Sequence, residues 1–199
     1  MDHDDPLILP DVAAWRAWLD AHEDDTPAGV WLVLIKKGKS GPTTVTYDQA
    51  LDEALCSGWI DGQGRRRDDA TSLQRFTPRR SRSMWSARNV AIVEQLTADG
   101  RMRARGQAEI DRAKADGRWD AAYQGSSSIE VPGDLAAALA TSPRAQANFD
   151  LLSSQNRYAL LFRLHHLKQE ATRARRIADY LAMLERGETI HPQKRPLQT

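Results

Sequence analysis

Apolar and polar positions follow two rhythms along this chain, and the changes of rhythm divide it into elements. Over 11–21, Val12, Trp15, Trp18 and Leu19 recur at the spacing of a helix face, with Pro10 and Asp11 as start signals. A polar turn over 24–29 leads into Val30-Trp31-Leu32-Val33-Leu34-Ile35, an unbroken apolar run rich in branched residues. It is too short for a free-standing helix and predicts a central strand buried on both faces. A basic, glycine-containing connection follows over 36–42. Thr46-Tyr47-Asp48-Gln49 then has the form of a capping box, with hydroxyl and amide satisfying free backbone N–H groups. The helix it opens carries Tyr47, Ala50, Leu51, Ala54 and Leu55 on one face and stops near Gly58. Two strands are predicted over 59–66 and 73–77, joined by the turn Asp68-Asp69-Ala70-Thr71, with Pro78 ending the second.

From there the period is helical. Helices are expected over 85–98, closed by Asp99-Gly100, and over 104–116, closed by Gly117. Gln124-Gly125-Ser126-Ser127-Ser128 is the one clear linker. Beyond it, short helices are expected over 134–140, from the Ser142-Pro143 start past Phe149, and from Ser154 through His165. A last one carries Ile177, Tyr180, Leu181 and Leu184 and ends at Gly187. The fold class is therefore α+β: a small antiparallel sheet packed with helices over 1–123, a linker over 124–128, an all-helical extension over 129–190, and a loose tail over 191–199.

Composition narrows the function. An apolar share of 41% across 199 residues supports a packed core and excludes wholesale disorder. One cysteine excludes a disulfide framework and a cysteine-rich zinc site, so neither metal nor cofactor is expected. No apolar stretch approaches membrane length, and the acidic start lacks a secretory pattern, so a cytoplasmic protein without membrane insertion is expected. The net charge of +1 conceals an asymmetry. Asp2, Asp4, Asp5, Asp11, Asp20, Glu23, Asp24 and Asp25 face only Arg16 over 1–25, whereas eight arginines face Asp68 and Asp69 over 65–88.

That arginine-rich segment holds the strongest candidate chemistry. Trp59, Asp61 and Arg75 lie on the predicted hairpin, and Arg79 and Arg80 in the loop toward Trp85, Ser86 and Asn89 at a helix start. A helix N-terminus presents unpaired N–H groups, guanidinium forks suit carboxylate or phosphate, and two indoles are able to wall a pocket. These eight residues are the candidate ligand-binding set, with Asp61 the candidate general base. The competing reading is structural: Arg79 paired with an acidic residue, and the tryptophans in the core. Cys56 reads as a small buried hydrophobe. The adjacent His165 and His166 diverge by about 100° on a helix and cannot readily share a metal. The arginine runs at 65–67 and 101–105 have no interleaved aromatics, so nucleic acid is not an expected partner.

Trp59-Ile60-Asp61-Gly62 and Phe76-Thr77-Pro78-Arg79-Arg80-x-x-Ser83-x-Trp85-Ser86-x-x-Asn89 resemble the YdeI/OmpD-associated (OmdA) family of bacterial proteins, named for bacteriocin protection. The resemblance takes in 30–37, 46–59, 99–102, 113–119 and Glu170-x-Thr172-Arg173-x-Arg175-Arg176-Ile177, nearly the whole chain. It implies a YdhG-like N-terminal fold, a helical extension and a role in stress or bacteriocin protection, with no established reaction. Three functions stay open: binding a small anionic ligand in the Arg/Trp pocket, catalysis with Asp61 as base, and engagement of a protein partner by the C-terminal helices.

Overall fold

The computed structural model describes residues 5–22, 26–126 and 128–198. The acidic side chains of Asp2, Asp4, Glu23, Asp24 and Asp25, part of the expected turn over 24–29, and Ser127 of the expected linker lie outside the described residues.

The first apolar stripe forms α1 (Val12–His22), which buries Trp15 and Leu19. Trp15 satisfies its indole N–H on the carbonyl of Ala50, at 3.1 Å. Ala50 belongs to α2 (Tyr47–Cys56), whose capping box forms as its sequence dictates. Thr46 Oγ1 accepts from the Gln49 amide, and the Gln49 side chain accepts from the Thr46 amide. Three antiparallel strands lie beside these helices: β1 (Val30–Ile35), β2 (Trp59–Arg66) and β3 (Thr71–Pro78), in the order β1-β3-β2.

The centre of that sheet is β3, so the expectation that the apolar run forms the central strand is corrected. β1 lies at an edge of the three-stranded order, and yet Trp31, Leu32, Val33 and Leu34 are all buried. Its outer side is met by a short parallel bridge, in which Leu7 N–H donates to Trp31 and Val33 N–H donates to Leu7. A continuous apolar run thus marks burial on both faces, which does not require a strand on both sides.

On β2 and β3 the pairing runs Trp59↔Pro78, Ile60↔Thr77 and Asp61↔Phe76, then slips to Gly64↔Gln74. The slip is a bulge, and Gln74 Nε2 donates to the Gly62 carbonyl within it, at 2.9 Å. The hairpin turn is closed by Asp68, whose carboxylate accepts from the Thr71 hydroxyl and from the amides of Thr71 and Ala70. Those hydrogen bonds, led by the hydroxyl, hold its carboxyl below the usual range. The sheet face bearing Leu32, Leu34 and Phe76 packs with Trp15, Leu51, Leu55 and Trp59 into one core. α3 (Ala87–Ala98) and α4 (Ala104–Ala115) add Val93, Leu96, Ile110 and Ala113 to it.

The chain divides into two compact units after Ala122. In the second, α5 (Gly133–Ala140), α6 (Pro143–Asp150), α7 (Ser154–His165) and α8 (Glu170–Glu185) bury Leu135, Phe149, Leu160, Leu164, Tyr180 and Leu184. The tail expected to be loose is instead tied down by two buried asparagines. Asn148 donates to the carbonyls of Leu184 and Gln198 and accepts from the Gln198 amide, while Asn156 exchanges hydrogen bonds with His191. Leu197 is thereby drawn into the core. A sheet packed with helices followed by a helical unit makes this an α+β protein.

Candidate functional site

The starts of α2 and α3 lie side by side. Arg88, at the second position of α3, donates to Asp48 at the second position of α2, at 3.2 Å, and its guanidinium stands 5.4 Å from the Tyr47 ring. Beneath them, the parity of β2 before the bulge turns Asp61 to the core side with Phe76, where Tyr47 donates its phenol to Asp61 Oδ2 at 2.7 Å. Burial, then this hydrogen bond to a carboxylate, pushes the Tyr47 hydroxyl up to about 12 from 10.0. Cys56, at the far end of α2, is 1% exposed, and burial with the nearby Glu53 charge pushes its thiol up to about 11 from 9.0.

Both shifts carry the same sign for stability. The folded chain keeps protons that the unfolded chain releases, so the contribution is complete below the ordinary values and lost as pH rises through the folded ones. Unfolding stability is therefore expected to fall between about pH 9 and 12. Tyr47→Phe should flatten the part above pH 10, which urea titrations at stepped pH will measure; an unchanged slope there would refute the assignment.

The second group forms around the loop after β3. Arg79 N–H donates to the Gly58 carbonyl, anchoring the loop to the end of α2. Its guanidinium is buried, lies 3.5 Å from the centroid of the Trp85 ring, and donates to the Met84 carbonyl. Trp85 also packs on Trp119 at 5.0 Å, and Arg118 donates to the Ser83 carbonyl, closing the loop from the α4 side. Ser86 caps α3 by accepting from the Asn89 amide, with Asn89 buried behind it. Two buried donors stand out: among the described residues, Trp59 Nε1 and Trp85 Nε1 have no hydrogen-bond acceptor. Trp59 is the register partner of Pro78, and Trp85 lies under Arg79.

The eight residues expected to converge therefore separate. Arg79, Trp85, Ser86 and Asn89 stay together, with Trp59 adjoining them from the core. Asp61 belongs with Tyr47. Arg75 departs, because Phe76 rather than Arg75 shares the parity of Asp61; its guanidinium donates to the Ala28 carbonyl and lies near Trp31. Arg80 is exposed, its backbone N–H held by Ser83 in the turn. Tyr47 and Arg88 were not read from the sequence as site residues, although a tyrosine at the first position of a capped helix was a signal within reach. Among the described residues, no group of three or more His, Cys, Asp or Glu side chains is arranged to hold a metal. No helix among them is long and apolar enough to cross a membrane.

Comparison with known proteins divides the chain much as the fold does. The family described as bacteriocin-protection, YdeI or OmpD-associated matches residues 128–187. That span carries the Glu170–Ile177 part of the resemblance, whereas Trp59–Gly62 and Phe76–Asn89, expected to belong to the same family, lie outside it. No curated protein and no solved structure matches the chain. Residues 7–109, more than half of its 199 residues and all of the site just described except Arg118 and Trp119, match a second family, and by that match the chain belongs to the family described as Domain of unknown function (DUF8412).

Proposed function

We propose that this is a protein of the bacteriocin-protection type whose N-terminal unit binds a small anion against Arg79 and Trp85 at the start of α3. The observation that carries the reading is that two buried indole N–H groups, of Trp59 beside Pro78 and of Trp85 under Arg79, have no acceptor among the described residues. A buried donor left unmade costs about 1–3 kcal/mol, and a carboxylate or phosphate oxygen would recover that cost. The surrounding field suits such a ligand: a buried guanidinium fixed on an aromatic face, and the positive end of a twelve-residue helix.

The test screens phosphate, nucleotide and carboxylate ligands for thermal stabilisation and measures the affinity of any that act by calorimetry. Trp85→Phe keeps the ring beneath Arg79 and deletes the N–H. It is expected to weaken the anion about tenfold, the equivalent of one hydrogen bond to a charged group. Stabilisation by none of the three classes, or equal affinity in Trp85→Phe, would count against the reading.

A second reading, chemistry with Asp61 as base, is favoured by one contact. Tyr47 holds a proton on Asp61 Oδ2 and keeps it at any physiological pH, so the pair could orient a substrate and accept its proton. Asp61→Asn would abolish turnover of any substrate found while leaving anion affinity at the Arg79 site intact.

A further inference from the structure

Trp31 is 7% exposed but stands outside the core that the helices cover. It points to the opposite face of the sheet, and arginines cover it there. The guanidinium carbon of Arg65 lies 4.3 Å and that of Arg75 5.6 Å from its ring centroid. Arg75 comes from the directly paired position of β3, and Arg65 from β2, paired to Leu73. Their roles differ. Arg75 is committed to the Ala28 carbonyl. Arg65 is exposed, and among the described residues its guanidinium meets the indole and neither a carboxylate nor a hydrogen-bond acceptor.

More cations gather where β1 ends and the hairpin turns, at the opposite end of β1 from Trp31. Lys36, leaving β1, donates Nζ to the Asp68 carbonyl, so the connection bearing Lys37 and Lys39 runs beside the hairpin tip bearing Arg66 and Arg67. Asp68 is occupied in holding the turn, and Asp69 pairs with Arg66 through side chains that are 91% and 76% exposed, a contact that salt and solvent weaken. The patch is thus strongly basic on a chain whose net charge is only +1.

We infer that this face, with Arg65 held over Trp31 and the cations of 36–39 and Arg67 farther along it toward the hairpin tip, binds single-stranded nucleic acid. The sequence argued against such a partner because no aromatic interrupts the arginine run, and the fold supplies the aromatic from another strand. A guanidinium held over an indole offers a planar surface for an unpaired base, and the lysines and arginine toward the hairpin tip suit a phosphate backbone. An acidic protein partner fits less well: the one large apolar group of the patch is buried, leaving no aromatic anchor of the kind that dominates protein interfaces. Nucleic-acid interfaces are more polar and more positive. The inference is independent of the anion site at Arg79.

The test is fluorescence anisotropy of the full chain with labelled single-stranded RNA and DNA of mixed sequence, the matching duplex and an acidic peptide, each across a salt series. Single strands should bind more tightly than the duplex and the peptide. Arg65→Ala should weaken them about tenfold and reduce the slope of log affinity against log salt by about 0.7, one cation's share. Arg65→Lys should restore the slope but not the affinity, since lysine keeps the charge and loses the planar stack. Trp85→Phe should bind nucleic acid as the wild type does, which separates this result from the fate of the anion site. Absence of single-strand binding at low salt, equal binding of duplex, tighter binding of the acidic peptide, or indifference to Arg65→Ala in a variant with wild-type melting would each overturn it.

Discussion

Replacing Glu53 by alanine is expected to destabilise the N-terminal unit by about 3–5 kcal/mol, the range seen when one member of a buried ionic network is removed. Glu53 is 7% exposed on α2 and takes Arg101 at 2.9 Å on Oε1 and Arg103 on Oε2. Arg103 also donates to the Glu53 carbonyl and to Ser57 Oγ, at 3.0 and 2.8 Å, and pairs with Asp20 on α1. Its side chain is 15% exposed. Without Glu53 this guanidinium stays out of water with part of its charge uncompensated, and that residual cost, more than the lost contact, sets the size of the effect. All six tryptophans precede residue 123, so their fluorescence during urea unfolding reports this unit alone. Glu53→Gln keeps an acceptor and should lose distinctly less. A loss below about 1 kcal/mol for Glu53→Ala would mean that the arginines find water or other partners, and that the network is peripheral.

The contrast between this network and the α2 cap explains how far the sequence could be read. Thr46 and Gln49 act across three residues, so the hydrogen bonds that start α2 are written locally. Glu53 meets its arginines across 48 and 50 residues, and nothing in the helical pattern of α2 distinguishes it from a solvated acid. The site divides the same way. Trp85, Ser86 and Asn89 cluster because they lie within one turn of a helix start, and Arg79 joins them because the loop is short. Asp61 and Arg75 were placed on the two strands of the predicted hairpin. Whether they share a face depends on register, and one bulge at Gly62 and Gln63 resets it. The same limit applies to Trp31: its burial was legible, but its cover of arginines from β2 and β3 follows from strand order, which the apolar run does not encode.

Gly106→Ala is expected to cost about 3 kcal/mol, although alanine is the better helix former by about 1 kcal/mol. Gly106 lies in the first turn of α4, where a Cβ would come 2.2 Å from the Cys56 carbonyl oxygen and 2.7 Å from Met102 Cε. The methionine can turn aside, but the carbonyl is backbone at the end of α2, so α4 must retreat. That retreat reaches the ionic network, because the same Cys56 carbonyl accepts the backbone N–H of Arg103 at 3.1 Å. Moving it pulls Arg103 off Glu53 and Ser57. The two substitutions should therefore be coupled: in a Glu53→Ala background, Gly106→Ala should cost about 1 kcal/mol less than in the wild type, within the range found for residues sharing a network. Gly133, whose added Cβ would meet nothing within 4 Å, provides the control, and Gly133→Ala should leave the melting curve unchanged or slightly raised. Strict additivity in the double-mutant cycle would show that α4 packs on α2 and that Arg103 is held by Glu53 through separate causes. A measured coupling would make the missing side chain at Gly106 the condition for burying the arginine.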